Sequence, residues 1–278
     1  MNNYLKLVSF EWNRFFKVYF VLVIITIISQ IAGTIVQARS YLTSMNRTME
    51  MTSISSELEY VREYGEFYFG SISQSMWFIF PVFLSMITLL IYTLFIWYRD
   101  WLGKNTFIYR LLMLPTSRLN IFLAKATSIF IMVLGLVALQ LILLYAQQNI
   151  IQVMIPVDLR ETLSITEMIR TFDYMRVLYP ITIFDFTVYY GTGLLLIIII
   201  FTAILMERSF RWKGIILGLI YITFSILVFF SQMLVTLFTG EVYLYPLETM
   251  IVQIVLGLLV FGMSLGISNY LLKKKVTI

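Results

Sequence analysis

Six long apolar runs limit this chain more than any other feature. They cover approximately 18–38, 76–98, 126–147, 186–206, 214–239 and 249–272, and none contains an Asp, Glu, Lys or Arg. The hydrocarbon core of a bilayer is about 30 Å thick and takes about 20 apolar residues of helix to cross. Inside lipid each backbone N–H must be satisfied within the structure, so runs of this kind are read as helices. The expected fold is an all-α membrane protein, a six-helix transmembrane bundle forming one domain over 1–278. The first run ends in Val36-Gln37-Ala38, loosely like a cleavage site. It is longer than a signal-peptide core of about 7–15 residues, so it is read as a retained anchor.

The charges lie between the runs, and they are uneven. Both termini and the second and fourth connections hold 14 basic residues against three acidic ones, Glu11, Asp100 and Glu207. The opposite side holds six basic and 12 acidic residues, so the two sides carry +11 and −6. Lys/Arg bias beside membrane spans places the basic side, and with it both termini, in the cytoplasm. A multi-pass protein of the cell membrane is expected. Lys273-Lys274-Lys275 reads as a stop signal and headgroup anchor, not as a nucleic-acid patch.

Between the spans, Leu5, Val8, Trp12 and Phe15/Phe16 recur at helical spacing. They predict an amphipathic N-terminal helix lying in the inner interface. In the first outside loop, Ile54, Leu58, Val61 and Gly65/Tyr68 mark one face of a helix. In the second, Ser164-Ile165-Thr166-Glu167 fits a capping box, and Ile165, Met168/Ile169, Phe172 and Met175 form a stripe that Tyr179-Pro180 ends.

Several chemistries are excluded by composition. The chain has no His and no Cys, which removes imidazole acid–base work, thiol nucleophiles and His or Cys metal sites. No Asp, Glu, Lys, Arg or His falls within a run, which argues against a proton relay or a charge-lined pore. No G-x-x-x-x-G-K-[ST] motif occurs, so ATP hydrolysis by this chain is not expected. The uncharged polar residues Gln30, Gln140, Ser225, Gln232 and Gln253 can bond across helices or line a cavity. Gly214-x-x-x-Gly218 and Gly262-x-x-x-Gly266 allow close helix approach, within one bundle or between two copies.

The strongest signal is the connection from Arg99 to Lys125. Trp101, Asn105/Ile108, Leu111/Leu112 and Leu114 suggest a short helix along the membrane, which Pro115 stops and Thr116-Ser117 follows with a new start. Gly103, then Leu111-Leu112-Met113-Leu114-Pro115-Thr116-Ser117-Arg118, then Ala124-Lys125, resemble a stretch of the ABC transporter type-2 permeases. These are the membrane subunits of ATP-binding-cassette exporters. That family commonly shows an acidic residue, Gly-Thr, a Leu-rich stretch ending in Leu-Pro-x-Ser-Arg, and then Gly-Lys. Here Arg99 stands at the acidic position with Asp100 beside it, Lys104 at the Thr position and Ala124 at the Gly position. The likeness is close over about 30 residues and otherwise rests on the six-span layout and the cytoplasmic termini.

The resemblance implies a short cytoplasmic coupling helix and a non-catalytic permease. It implies pairing with a second copy or a related permease, driven by two copies of a cytoplasmic ATP-binding-cassette ATPase. ATP and Mg would bind that partner, with no cofactor or metal on this chain and no nucleic-acid partner. Asp100, Gly103, Lys104, Arg110, Leu114, Pro115 and Arg118 would form or position the ATPase contact. Phe83, Phe224, Phe229, Gln232 and Met233 would face the translocation path. The cargo would be amphiphilic or apolar: a peptide, peptide antibiotic, lipid or drug. Low Ala and abundant Ile and Tyr suit a bacterial source. The competing readings are a membrane enzyme acting on lipids, and a sensory or immunity protein working with an ATPase.

Overall fold

A computed structural model of the chain describes residues 3–52, 54, 56–101, 108, 111, 113, 116–241 and 243–275, leaving aside the side chains of 173, 174 and 246. Among the described residues, six helices are long and apolar enough to cross a membrane. They are α1 (Asn3–Met51), α4 (Met76–Trp101), α5 (Arg118–Met154), α8 (Ile183–Phe210), α9 (Trp212–Phe229) and α11 (Pro246–Lys274). Shorter helices are α2 (Glu57–Tyr64), α3 (Gly70–Ser73), α6 (Ile165–Thr171), α7 (Asp173–Leu178) and α10 (Ser231–Thr239). The described residues contain no strand, only a single bridge between Phe67 and Arg160. The architecture is an all-α membrane bundle, as the apolar runs require.

Three expectations need correction. The N-terminal segment is helical, but it is the first part of α1 and runs into the first span without a break. Its buried face is Leu7, Glu11 and Phe15, while Leu5 and Phe16 are exposed. The fifth span is not continuous: α9 stops at Phe229 and α10 begins at Ser231. In α2 the buried residue is Tyr60 and Leu58 is exposed, because the Tyr60 ring packs on Tyr41 and Tyr64.

The contacts divide the chain into two compact units. One comprises Phe15–Thr88 and Met132–Tyr179. In its apolar interior Gln30 donates from Nε2 to Gln140 Oε1 at 2.9 Å, between α1 and α5. Gly33 leaves room for Trp77, whose Cβ lies 2.3 Å from where a Gly33 Cβ would stand. The loop helices pack on the ends of α1 and α5 through Ala38, Met45, Phe67, Phe69, Leu159, Met168 and Met175. Phe67 and the segment after α5 pair by backbone: Phe67 N donates to Leu159 O and Glu161 N to Phe67 O. The capping box of α6 is present as expected, but the stripe bends at Phe172, which separates α6 from α7.

The other unit comprises Met1–Arg14, Leu89–Ile131 and Pro180–Ile278. Here α8, α9 and α11 pack together. A Cβ on Gly214 would lie 2.2 Å from the Met206 carbonyl oxygen, so this glycine is what lets α9 turn back along α8. Gly218 faces Ala203 in the same groove. The Gly214/Gly218 pair is thus used within the chain, whereas Gly262 and Gly266 are exposed, with nothing within 4 Å of where a Cβ would stand. Thr202 and Ser268 bond at 2.9 Å between α8 and α11, and the Tyr221 and Ser264 hydroxyls bond between α9 and α11.

Candidate functional site

The site is a cluster of five charged side chains at the root of the connection between α4 and α5. Helix α1 presents Glu11 and Arg14, one turn apart. The end of α4 presents Arg99 and Asp100, and α5 presents Lys125 two turns after its start. Lys125 Nζ lies 2.5 Å from Glu11 Oε1 and 2.5 Å from Asp100 Oδ2. Arg14 Nη1 donates to Asp100 Oδ1 at 2.7 Å, and Arg99 Nη2 to Glu11 Oε2 at 3.1 Å. Each carboxylate therefore meets at least two cations. The side chains of Lys125 and Asp100 are 0% exposed and that of Glu11 is 3% exposed.

Burying ions costs several kcal/mol each unless their partners and hydrogen bonds are nearly ideal. Here both carboxylates use both oxygens. Lys125 also points at the Ile96 carbonyl and sits 5.4 Å from the Trp97 ring centroid, a cation–π contact. Trp97, Phe122 and Phe201 close one side as an aromatic triangle with centroids 5.6 to 6.2 Å apart. Nearby, the Tyr4 and Thr127 hydroxyls bond at 2.6 Å, fastening α1 to α5 a second time. The result is an ionic clasp with a buried centre of Glu11, Asp100 and Lys125 that joins three helices.

Further contacts lie at the same ends of the helices. Tyr98 OH donates to Glu207 Oε2, and the Arg208 guanidinium lies over the Tyr98 and Trp101 rings. Arg118 Nη1 donates to the Leu272 carbonyl, one of the last carbonyls of α11 that has no partner inside its own helix. The three acidic residues of the basic side, Glu11, Asp100 and Glu207, thus all bridge helices.

Of the seven residues expected at an ATPase contact, Asp100 and Arg118 are described, and both are engaged within the chain. Gly103, Lys104, Arg110, Leu114 and Pro115 lie outside the described residues. Within the connection Ile108 and Leu111 are helical and buried and Met113 is exposed. The five path candidates do not share one environment. Phe83, Phe224 and Met233 are exposed, Phe229 is buried, and Gln232 is half-buried with its Oε1 unpartnered among the described residues.

Sequence reasoning missed Glu11 and the burial of Lys125. One signal was available: Glu11 is the lone acid of the N-terminal segment and stands four residues from both Leu7 and Phe15. Among the described residues no group of His, Cys, Asp and Glu that could hold a metal is present. No protein-family model, curated protein or solved structure matches the chain.

Proposed function

We propose that this chain is the membrane-spanning permease subunit of an ABC-type exporter. It works as a pair in the cell membrane with its termini in the cytoplasm, and a separate ATPase powers movement of an amphiphilic or apolar cargo. The observation that carries the reading is the clasp between Asp100 and Lys125, which ties together the two ends of the connection resembling the family. A loop with free ends would absorb a push from outside. A loop whose ends are pinned to each other, and to Glu11 and Arg14 of α1, passes that push to three helices as one body. Asp100 then serves to position the lever, since its carboxylate is already occupied. Arg118 braces α5 against the end of α11 in the same way.

The chain itself supplies no hydrolysis in this reading; its part is to bind, orient and move. The test is co-purification of a nucleotide hydrolase from native membranes, followed by ATP turnover and cargo movement in vesicles. Cargo should stimulate turnover, and Gly103→Leu or Pro115→Ala should leave turnover intact while movement falls. Lipid conversion by the isolated chain without nucleotide would favour the enzyme reading instead.

A further inference from the structure

Helices α8 and α11 part to leave a cavity of about 190 Å³, lined among others by Thr187, Gly191, Leu195, Phe229, Gln253 and Gly257. A cavity of about 150 Å³ with apolar walls stays dry and binds benzene, so this one is large enough for a hydrocarbon ligand. Two glycines make it: a Cβ on Gly191 would meet nothing within 4 Å, and one on Gly257 would touch the Phe229 ring at 3.3 Å. Along α8 and along α11 the lining covers eight residue steps, roughly 12 Å of helix.

The walls are graded. At the N-terminal ends of α8 and α11 stand Thr187 and Gln253; deeper lie Leu194, Leu195, Leu258 and Phe261. Thr187 and Thr192 spend their hydroxyl protons on the carbonyls of Ile183 and Val188. Gln253 makes no hydrogen bond among the described residues, which leaves its carboxamide as the polar group on offer. The helix break at Phe230 adjoins Phe229 of the lining, and it is flanked by the buried Ser225 Oγ and Gln232 Oε1, which have no hydrogen-bond partner among the described residues. Non-helical backbone at membrane depth is tolerated where it is buried or lines a cavity. Leu258 is exposed, so the slot opens sideways to whatever surrounds the helices.

We propose that this slot holds one acyl chain of a membrane lipid, with the Gln253 amide donating to the ester carbonyl at its polar end. An acyl chain suits the apolar part of the slot, and Thr187 and Gln253 at its polar end stand within two turns of the first residues of α8 and α11, Ile183 and Pro246. The inference needs only a membrane around these helices.

The full chain is reconstituted in vesicles of phosphatidylglycerol and phosphatidylethanolamine doped with a phosphatidylcholine carrying a diazirine on one acyl chain. After irradiation, label is mapped by peptide mass spectrometry. Segments 187–195 and 253–261 should be labelled several-fold more than 215–224, the exposed stretch of α9. Gly191→Leu, whose side chain enters open space, should erase that excess and leave 215–224 unchanged. An ether-linked probe, lacking the carbonyl, should label the slot several-fold less than the ester in wild type, with the difference gone in Gln253→Leu. Equal labelling of all three segments, or labelling indifferent to Gly191→Leu, overturns the site; equal ester and ether labelling in wild type overturns the role of Gln253. No nucleotide or ATPase enters the experiment, so its failure and a failure of the transport reading are separate results.

Discussion

Lys125 and Asp100, 25 positions apart in sequence, meet at 2.5 Å with neither side chain exposed. Removing one member of a buried pair leaves the other uncompensated and costs about 3–5 kcal/mol. Lys125→Met should lower the thermal midpoint of the detergent-solubilised protein sharply, and Asp100→Asn should do so less, since Asn keeps hydrogen-bonding capacity. The double variant should lose clearly less than the two single losses added. Strict additivity would show that the two side chains do not interact.

Gly214 and Gly262 make opposite predictions from the same residue type. A methyl on Gly214 would stand 2.2 Å from the Met206 carbonyl oxygen, so Gly214→Ala should cost about 1–3 kcal/mol by forcing α8 and α9 apart. A methyl on Gly262 meets nothing, so Gly262→Ala should gain about 0.5–1 kcal/mol from reduced backbone freedom in the unfolded chain. Thermal melts of the two variants side by side check both signs.

Arg211 holds the tight turn between α8 and α9 with φ 54° and ψ −129°, a conformation that favours glycine. Strain of this kind costs about 1–3 kcal/mol. Arg211→Gly should therefore raise the melting midpoint, whereas Arg211→Ala, which keeps a Cβ, should not. A gain of equal size in both would assign the effect to the lost charge.

The cap of α6 should respond to acid. Glu167 Oε2 accepts from the Ser164 hydroxyl at 2.6 Å and the Ser164 backbone N–H at 2.8 Å, which holds its carboxyl below the usual range. A carboxyl whose pKa is lower folded than unfolded stabilises fully above the unfolded value and loses that contribution as pH falls through the folded one. Protection factors of the amides 165–171, which divide out the intrinsic pH dependence of exchange, should be larger at neutral pH and fall below the ordinary Glu range. In Glu167→Gln that acid-dependent step should vanish.

The spans were legible because length and the absence of charge suffice to place a helix in lipid. Which face of each helix turns inward was not. In a soluble protein the apolar stripe marks the interior, but lipid is as apolar as a core, so the stripe loses that meaning. In α4 the exposed residues include Phe80, Phe83, Leu90 and Phe95, while Ser85, Thr93 and Asp100 are buried. In α1 Ile28 is exposed, and Thr26, Gln30 and Thr34 are hidden. In the N-terminal segment the spacing of Leu5, Val8 and Trp12 marked a helix, but the face turned to the other helices is Leu7, Glu11 and Phe15. The break at Phe230 carries no Pro or Gly, the usual punctuation, so nothing in the local sequence announced it.

The amide pair Gln30–Gln140 limits how its unit can change shape. Each carboxamide has the other as its hydrogen-bonding company in a hydrocarbon setting. Sliding α1 past α5 by a single turn, about 5.4 Å, would strand both. The pair acts as an indexing pin that opposes pistoning of the two rods.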